Sequence, residues 1–193
     1  MVTGPSHSYR QGARSRYSKQ TMRNKVLARW NSLNLADATR EALPCCGSQA
    51  WASTLAARRP IVDEASLIET SSAIWLTLPK DAWQEAFDSH PRIGQKHAQA
   101  HATEESLRWS AQEQKTALNG DDAVRLALEE ANRRYEQKFG RIFIICATGK
   151  TPSDVLSVLE DRMKNDPTTE LREAAEQQRQ ITQLRLHRWL ESE

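Results

Sequence analysis

Residues 142–147 of this chain read Ile-Phe-Ile-Ile-Cys-Ala, a continuous apolar run bounded by Gly140 and Gly149. By propensity such a run is a buried strand. No other stretch of the 193 residues offers a strand for it to pair with, and a lone strand leaves its backbone N–H and C=O groups unsatisfied. A sheet is therefore excluded, and the run is expected to form a buried helix or an extended plug inside a helical bundle. The remaining composition agrees. Only 7 glycines occur, and Ala, Leu, Glu, Gln and Arg, all good helix formers, dominate. The fold class that follows is all-α, a single-domain multi-helix bundle long enough to bury one core.

Regular punctuation divides the chain into helices. Asn34 is placed to cap a short helix that stops before Pro44. Ser48 can cap residues 49–58, stopped by Pro60, and Asp63 residues 64–78, stopped by Pro79. A helix over 80–88 then runs into Ser89-His90-Pro91. Downstream, Asp121 opens a long helix that Gly140 closes. Thr151-Pro152-Ser153-Asp154 combines a capping hydroxyl, a proline at the first helical position and an acid at the third. A final helix from Thr168 to Leu190 carries Leu171, Ala174, Ala175, Ile181, Leu184, Leu186 and Trp189, mostly three, four or seven apart. Trp51, Trp75, Trp83 and Trp109 are expected to pack between helices rather than stack on a ligand.

Charge and cysteine usage narrow the function classes. Residues 1–25 carry six basic and no acidic side chains, which leaves 21 basic against 25 acidic over the rest of the chain. The body is mildly acidic and offers no general basic surface for nucleic acid. Residues 1–21 read as a disordered basic extension to a helical domain over 22–193. They lack the apolar core, about seven residues or more, of a secretory signal. No apolar run approaches the roughly 20 residues needed to span a bilayer, and mean hydropathy is −0.71. The expected location is the cytoplasm. Cys45, Cys46 and Cys146 are too few and too irregularly spaced for a disulfide framework or a zinc site. His97 and His101 stand one helical turn apart, but no third ligand follows at metal spacing, so they read as solvated. Arg92 and Lys96 are expected on a charged rim.

The stretch Ser89-His90-Pro91-Arg92-Ile93-Gly94 holds the chemistry-bearing side chain. Histidine trades protons near neutrality, with an unperturbed pKa of roughly 6.5. Proline disfavours the helical region for the residue before it, so His90 is expected to be held extended at a helix end. Glu113 follows on the next element, within Ser110-Ala111-Gln112-Glu113-Gln114. A fixed imidazole and a carboxylate are the minimum for proton-transfer chemistry. The same residues have a structural reading, because Ser110 and Glu113 have the spacing of a capping box at a helix start.

In chain order the sequence shows CCGSQAWASTLAARRP (Cys45–Pro60), HPRIG, WSAQEQ (Trp109–Gln114), YEQKFGRIFIICATGK (Tyr135–Lys150), LEDRMKND (Leu159–Asp166) and EQQRQITQLRLHRWL (Glu176–Leu190). This ordered set resembles the OHCU decarboxylases, which act on 2-oxo-4-hydroxy-4-carboxy-5-ureidoimidazoline (OHCU) in urate oxidation. The resemblance covers residues 30–190. It implies an all-α, cofactor-free enzyme, commonly a homodimer, with a small-molecule substrate; the residues themselves add the expectation of no metal, no nucleic-acid partner and no membrane partner.

By the same resemblance, His90 removes a proton from the ring hydroxyl or an adjacent nitrogen as carbon dioxide leaves. Glu113 orients the ureido group and helps deliver a proton to one face, giving (S)-allantoin. Ser110 and Gln114 hydrogen-bond polar groups of the substrate, Pro91 lies against it, and the segment of Ile145 contributes backbone. An arginine would hold a substrate oxygen through its planar fork. Two candidates exist. Arg185 lies among Ile181, Leu184 and Leu186 on a core-facing stripe, whereas Arg162 has Glu160 and Asp161 beside it and can rest on a solvated face. Arg185 is the expected clamp, and a structural ion pair to a neighbouring helix is its alternative. Two other functions stay open at this point. One is a non-catalytic helical interaction domain with a basic tail; the other is a ureido hydrolase, which needs a metal cluster or a nucleophile beside a base.

Overall fold

The computed structural model describes residues 23, 25–93, 102–115 and 122–192. The expectations for Asp121, Lys96, His97, His101 and the basic extension lie outside the described residues. Among those described, no segment is assigned as a strand. The helices are α1 (25–32), α2 (Leu35–Cys46), α3 (Gln49–Ala57), α4 (Glu64–Thr77), α5 (Lys80–Asp88), α6 (Glu104–Glu113), α7 (Asp122–Phe139), α8 (Pro152–Arg162) and α9 (Pro167–Leu190). None is long and apolar enough to cross a membrane.

Most helix starts follow from the cap residues. Asn34, Ser48 and Asp63 each accept a backbone N–H from three residues on. Thr151 and Asp154 close a reciprocal capping box with Pro152 in the first turn. One stop differs from the sequence expectation: α2 does not end before Pro44 but continues to Cys46. Proline removes the N–H that would reach the carbonyl of Arg40 and crowds that carbonyl, but Pro44 stands in the last turn of α2, two residues from its end, so the loss is confined to that turn. Gly47 ends the helix instead, at φ 85° with its N–H on the Leu43 carbonyl.

α2 packs on α3 and on the long α9, which also lies against α4 and α5; α7 pairs with α8. The main core holds Trp30, Trp51, Trp75, Phe87, Leu186 and Trp189. Burying an aromatic body this large leaves its indole N–H needing a partner. Trp30 donates to the Ala38 carbonyl at 2.9 Å and Trp75 to the Ala175 carbonyl at 2.8 Å. A second cluster is built from Leu128, Tyr135, Phe139, Val155 and Leu159 on α7 and α8. Trp83 packs partly buried against the main core, as does Trp109.

The apolar run is the seam between the two clusters. Ile142 and Ile144 belong to the main core, Phe143, Ile145 and Ala147 to the second. This alternation is the period of an extended chain, so the run is the plug rather than the helix. Side chains supply what a neighbouring strand would. Arg162 Nη1 donates to the Ile144 carbonyl at 2.7 Å, and Gln177 Oε1 accepts the Cys146 N–H at 3.0 Å.

Arg162 is therefore not on a solvated face. It is 6 % exposed, stands 4.6 Å from the centroid of the Phe143 ring, and its Nε donates to Glu170 at 2.9 Å. Glu170 has no exposed surface and also accepts from the Tyr135 hydroxyl and from Asn165 Nδ2. Burial, and then the Glu170 contact, raise the Tyr135 pKa well above its ordinary value. The charge is satisfied from the helix that follows, eight residues on, and its local neighbours Glu160 and Asp161 play no part in it.

Candidate active site

α5 ends at Asp88, and Ser89 and His90 form the turn that follows, with the His90 N–H on the Phe87 carbonyl at 3.0 Å. The turn is pressed against Gly47. A Cβ there would lie 2.0 Å from Ser89 Oγ and 2.6 Å from Ser89 Cβ, so only glycine lets the α2–α3 corner seat the histidine turn. His90 is 7 % exposed. Its Nε2 is enclosed and has no hydrogen-bond partner among the described residues.

Burial, joined by the positive charge of Arg185, pulls the His90 pKa down to about 3, against a smaller opposing effect of the Gln178 side chain. The imidazole is thus neutral at pH 7, the form that accepts a proton. Gln178 is fully buried and held by its amide nitrogen on the Cys46 carbonyl and Thr182 Oγ1, both at 3.3 Å.

Ser110 and Glu113 occupy the last turn of α6, with Gln114 as its C-cap. The capping-box alternative falls here, because α6 starts at Thr103, whose Oγ1 accepts the Ser106 N–H at 3.1 Å. Ser110 and Glu113 instead use their three-residue spacing to face α9 together. Arg185, 1 % exposed, donates from Nε to Glu113 Oε1 at 3.1 Å and from Nη2 to Oε2 at 2.9 Å. The same Nη2 reaches Ser110 Oγ at 2.8 Å, and Nη1 the Pro44 carbonyl at 3.3 Å. The arginine fork is thus already placed on the carboxylate.

One small cavity is lined by His90, Pro91, Ser110, Glu113, Gln114 and Ile145, all expected from the sequence, together with Ile93, Phe143, Ile144 and Ala147. Arg185 joins it through Ser110 and Glu113. Arg92 stands beside the turn, half-exposed, with Nε and Nη2 on the Glu136 carboxylate at 2.6 and 2.7 Å. Sequence reading missed Arg188 and Gln178. Arg188 Nη1 donates to Glu113 Oε1 at 3.1 Å. Both follow from the α9 periodicity, three residues after and seven before Arg185.

The arrangement suits transfer of a proton to a neutral, desolvated imidazole and orientation of donor groups by an ion-paired carboxylate. It does not suit thiol chemistry. Burial raises the pKa of Cys146 and pushes that of Cys46 up to about 12. No group of three or more His, Cys, Asp or Glu placed to hold a metal ion occurs among the described residues.

Residues 31–187 match the family described as OHCU decarboxylase. The uric acid degradation bifunctional protein TTL of Arabidopsis thaliana is 38 % identical over 144 residues, 74 % of this chain. The chain spans 44 % of that relative's length. The 2-oxo-4-hydroxy-4-carboxy-5-ureidoimidazoline decarboxylase of Amia calva is 28 % identical over 147 residues, 76 % of this chain and 80 % of that one. Among solved structures, a crystal structure of OHCU decarboxylase in the presence of (S)-allantoin matches at TM-score 0.67 and 34 % identity, covering 78 % of this chain and 96 % of that one. With most of its length matched in sequence and in fold, the chain belongs to the OHCU decarboxylase family.

Proposed function

We propose that this protein decarboxylates 2-oxo-4-hydroxy-4-carboxy-5-ureidoimidazoline to (S)-allantoin and carbon dioxide, a step of urate degradation, using its own side chains and no cofactor or metal. The observation that carries the reading is the convergence of the neutral His90 and the ion-paired Glu113 on one cavity. When the bond to the carboxylate breaks, its electron pair enters the ring, where the adjoining imine and carbonyl groups can take it. As the hydroxyl becomes a carbonyl its proton passes to His90, which returns it to the neighbouring ring carbon on a single face, while a proton from solvent neutralises the charge left on the imine nitrogen. His90 is the catalytic base.

An ionised carboxylate only accepts hydrogen bonds. Glu113, ion-paired to two arginines, is therefore assigned to hold the ureido N–H groups, and proton return is assigned to His90. Ser110 and Gln114 meet polar groups of the substrate, Pro91 and Ile145 shape the wall, and Arg185 fixes Glu113. Two further proposals are a homodimer, which the family resemblance implies, and a cytoplasmic location, which rests on the sequence reading alone; sedimentation velocity and cell fractionation test them.

The decisive assay supplies freshly generated OHCU to the chelated protein. Fast loss of the substrate's optical signal with one allantoin enantiomer supports the reading. A rate no greater than without protein would favour the helical interaction domain, and a rate restored only by an added divalent ion would favour metal-dependent chemistry.

A further inference from the structure

Glu113 has a second cation. Arg188 stands one helical turn after Arg185 on α9, and its Nη1 donates to Glu113 Oε1 at 3.1 Å. Its guanidinium lies 6.0 Å from the centroid of the Trp109 ring, and Trp109 stands on α6 one turn before Glu113. The side chain is 32 % exposed, whereas Glu113 is 9 % exposed. Arg188 thus reaches from the surface, over an aromatic face that fixes a flexible cation, to a carboxylate held in the site.

The donors are unevenly shared. Oε1 receives Arg185 Nε and Arg188 Nη1, while the described contact on Oε2 is Arg185 Nη2. A carboxylate oxygen has two acceptor positions, so among the described residues Oε1 is filled by protein and Oε2 keeps one open. Arg185 alone binds as a symmetric fork and leaves one position on each oxygen. Arg188 removes that symmetry.

We propose that Arg188, seated on Trp109, is a positioning residue that blocks Glu113 Oε1 and leaves Oε2 as the oxygen that meets the substrate. The inference rests on the reading of Glu113 as a substrate-orienting residue. Its consequence is orientational: without Arg188 the substrate N–H groups can bind either oxygen, and only one of the two poses aligns the carboxylate with the base. Binding is then preserved while turnover and facial selectivity suffer.

The test measures kcat, KM and the enantiomeric excess of allantoin for Arg188→Ala, Arg188→Gln and Arg188→Lys, at enzyme concentrations that outrun uncatalysed conversion. Expected is about a tenfold loss of kcat for Ala and Gln, the scale of one charge-assisted hydrogen bond, with KM little changed, lower enantiomeric excess and partial recovery in Lys. In a Glu113→Ala background, or in Glu113→Gln if that background folds poorly, adding Arg188→Ala should cost nothing more, because coupled residues are non-additive. Normal kcat for Arg188→Ala beside an impaired Glu113→Gln overturns the inference and leaves the role of Glu113 standing. Equal losses from Arg188→Ala with and without the Glu113 carboxylate also overturn it. Full activity of Glu113→Ala and Glu113→Gln removes the reading of Glu113 and the inference with it.

Discussion

Arg185 and Glu113 face each other through two parallel hydrogen bonds of 3.1 and 2.9 Å, 72 residues apart in the chain and both largely withdrawn from solvent. The planar guanidinium is what makes two such bonds possible at once. Arg185→Lys keeps the charge and loses the fork, so the carboxylate is free to rotate. Activity should fall about 100-fold, the scale of an ångström's misplacement in a catalytic group, in a protein that still folds. Arg162→Lys should behave oppositely. It loosens the plug and the buried Glu170, so its melting temperature should drop more than its turnover. Calorimetry and initial rates on the two variants separate the roles, and a fully active Arg185→Lys would remove Arg185 from the site.

Glu113 bears on this through its own removal. Because it sits at the end of α6 and not in a cap, Glu113→Ala should leave the start of α6 intact but strand the buried Arg185 guanidinium, at a cost on the order of 3 kcal/mol. Glu113→Gln retains the shape and one acceptor oxygen, so it should melt closer to the parent and still turn over poorly. Urea titration with parallel kinetics checks the pair. Normal kinetics in Glu113→Gln would show that the negative charge is not needed.

His90→Asn should keep the fold and lose about 10²–10⁴-fold in rate, the usual contribution of a general base. Asn is shorter than His and reaches only the Nδ1 position, so the substitution removes the Nε2 acceptor; because Nε2 has no partner among the described residues, no hydrogen bond is lost with it. Near-normal turnover would end the catalytic assignment.

Local signals made much of this molecule legible in its sequence. Cap residues such as Asn34, Ser48, Asp63 and Thr151 act within three residues, so their helices could be placed without tertiary information. The apolar run gave itself away because no second strand existed. What could not be read depends on partners brought from afar. Arg162 looked solvated beside Glu160 and Asp161, yet it pairs with Glu170 across a helix break. Pro44 looked like a stop, yet α2 accommodates it in its last turn. Ser110 and Glu113 had the spacing of a cap, and only the position of Thr103 shows that they close their helix instead of opening it. Arg188 is invisible without the α6–α9 contact.

Gly47 links the fold to the site in a way a single substitution tests. Gly47→Ala would place a methyl group 2.0 Å from Ser89 Oγ, at a φ of 85° that L residues rarely adopt. Strain and overlap together should cost on the order of 1–3 kcal/mol or more. Since Ser89 adjoins His90, the displaced turn should also lower kcat. A variant with parental stability and rate would show that the α2–α3 corner does not hold the histidine.

The buried imidazole also predicts how stability depends on pH. His90 has an ordinary pKa near 6.5 when unfolded and about 3 in the folded protein, because burial and Arg185 disfavour its charged form. Between those values the unfolded chain binds a proton that the folded one refuses. Its contribution to stability is therefore fully present above pH 6.5 and is lost as the pH falls from 6.5 toward about 3. The slope approaches about 1.4 kcal/mol per pH unit within that window. Carboxylates titrate over the lower part of the same range, so the informative quantity is the difference between the parent and His90→Asn, followed by denaturant unfolding from pH 7 to 4.5. The parent should lose stability faster than the variant on acidification, with the two curves parallel above pH 6.5. Parallel curves throughout would mean that the folded imidazole titrates like a free one, and that the base is not desolvated.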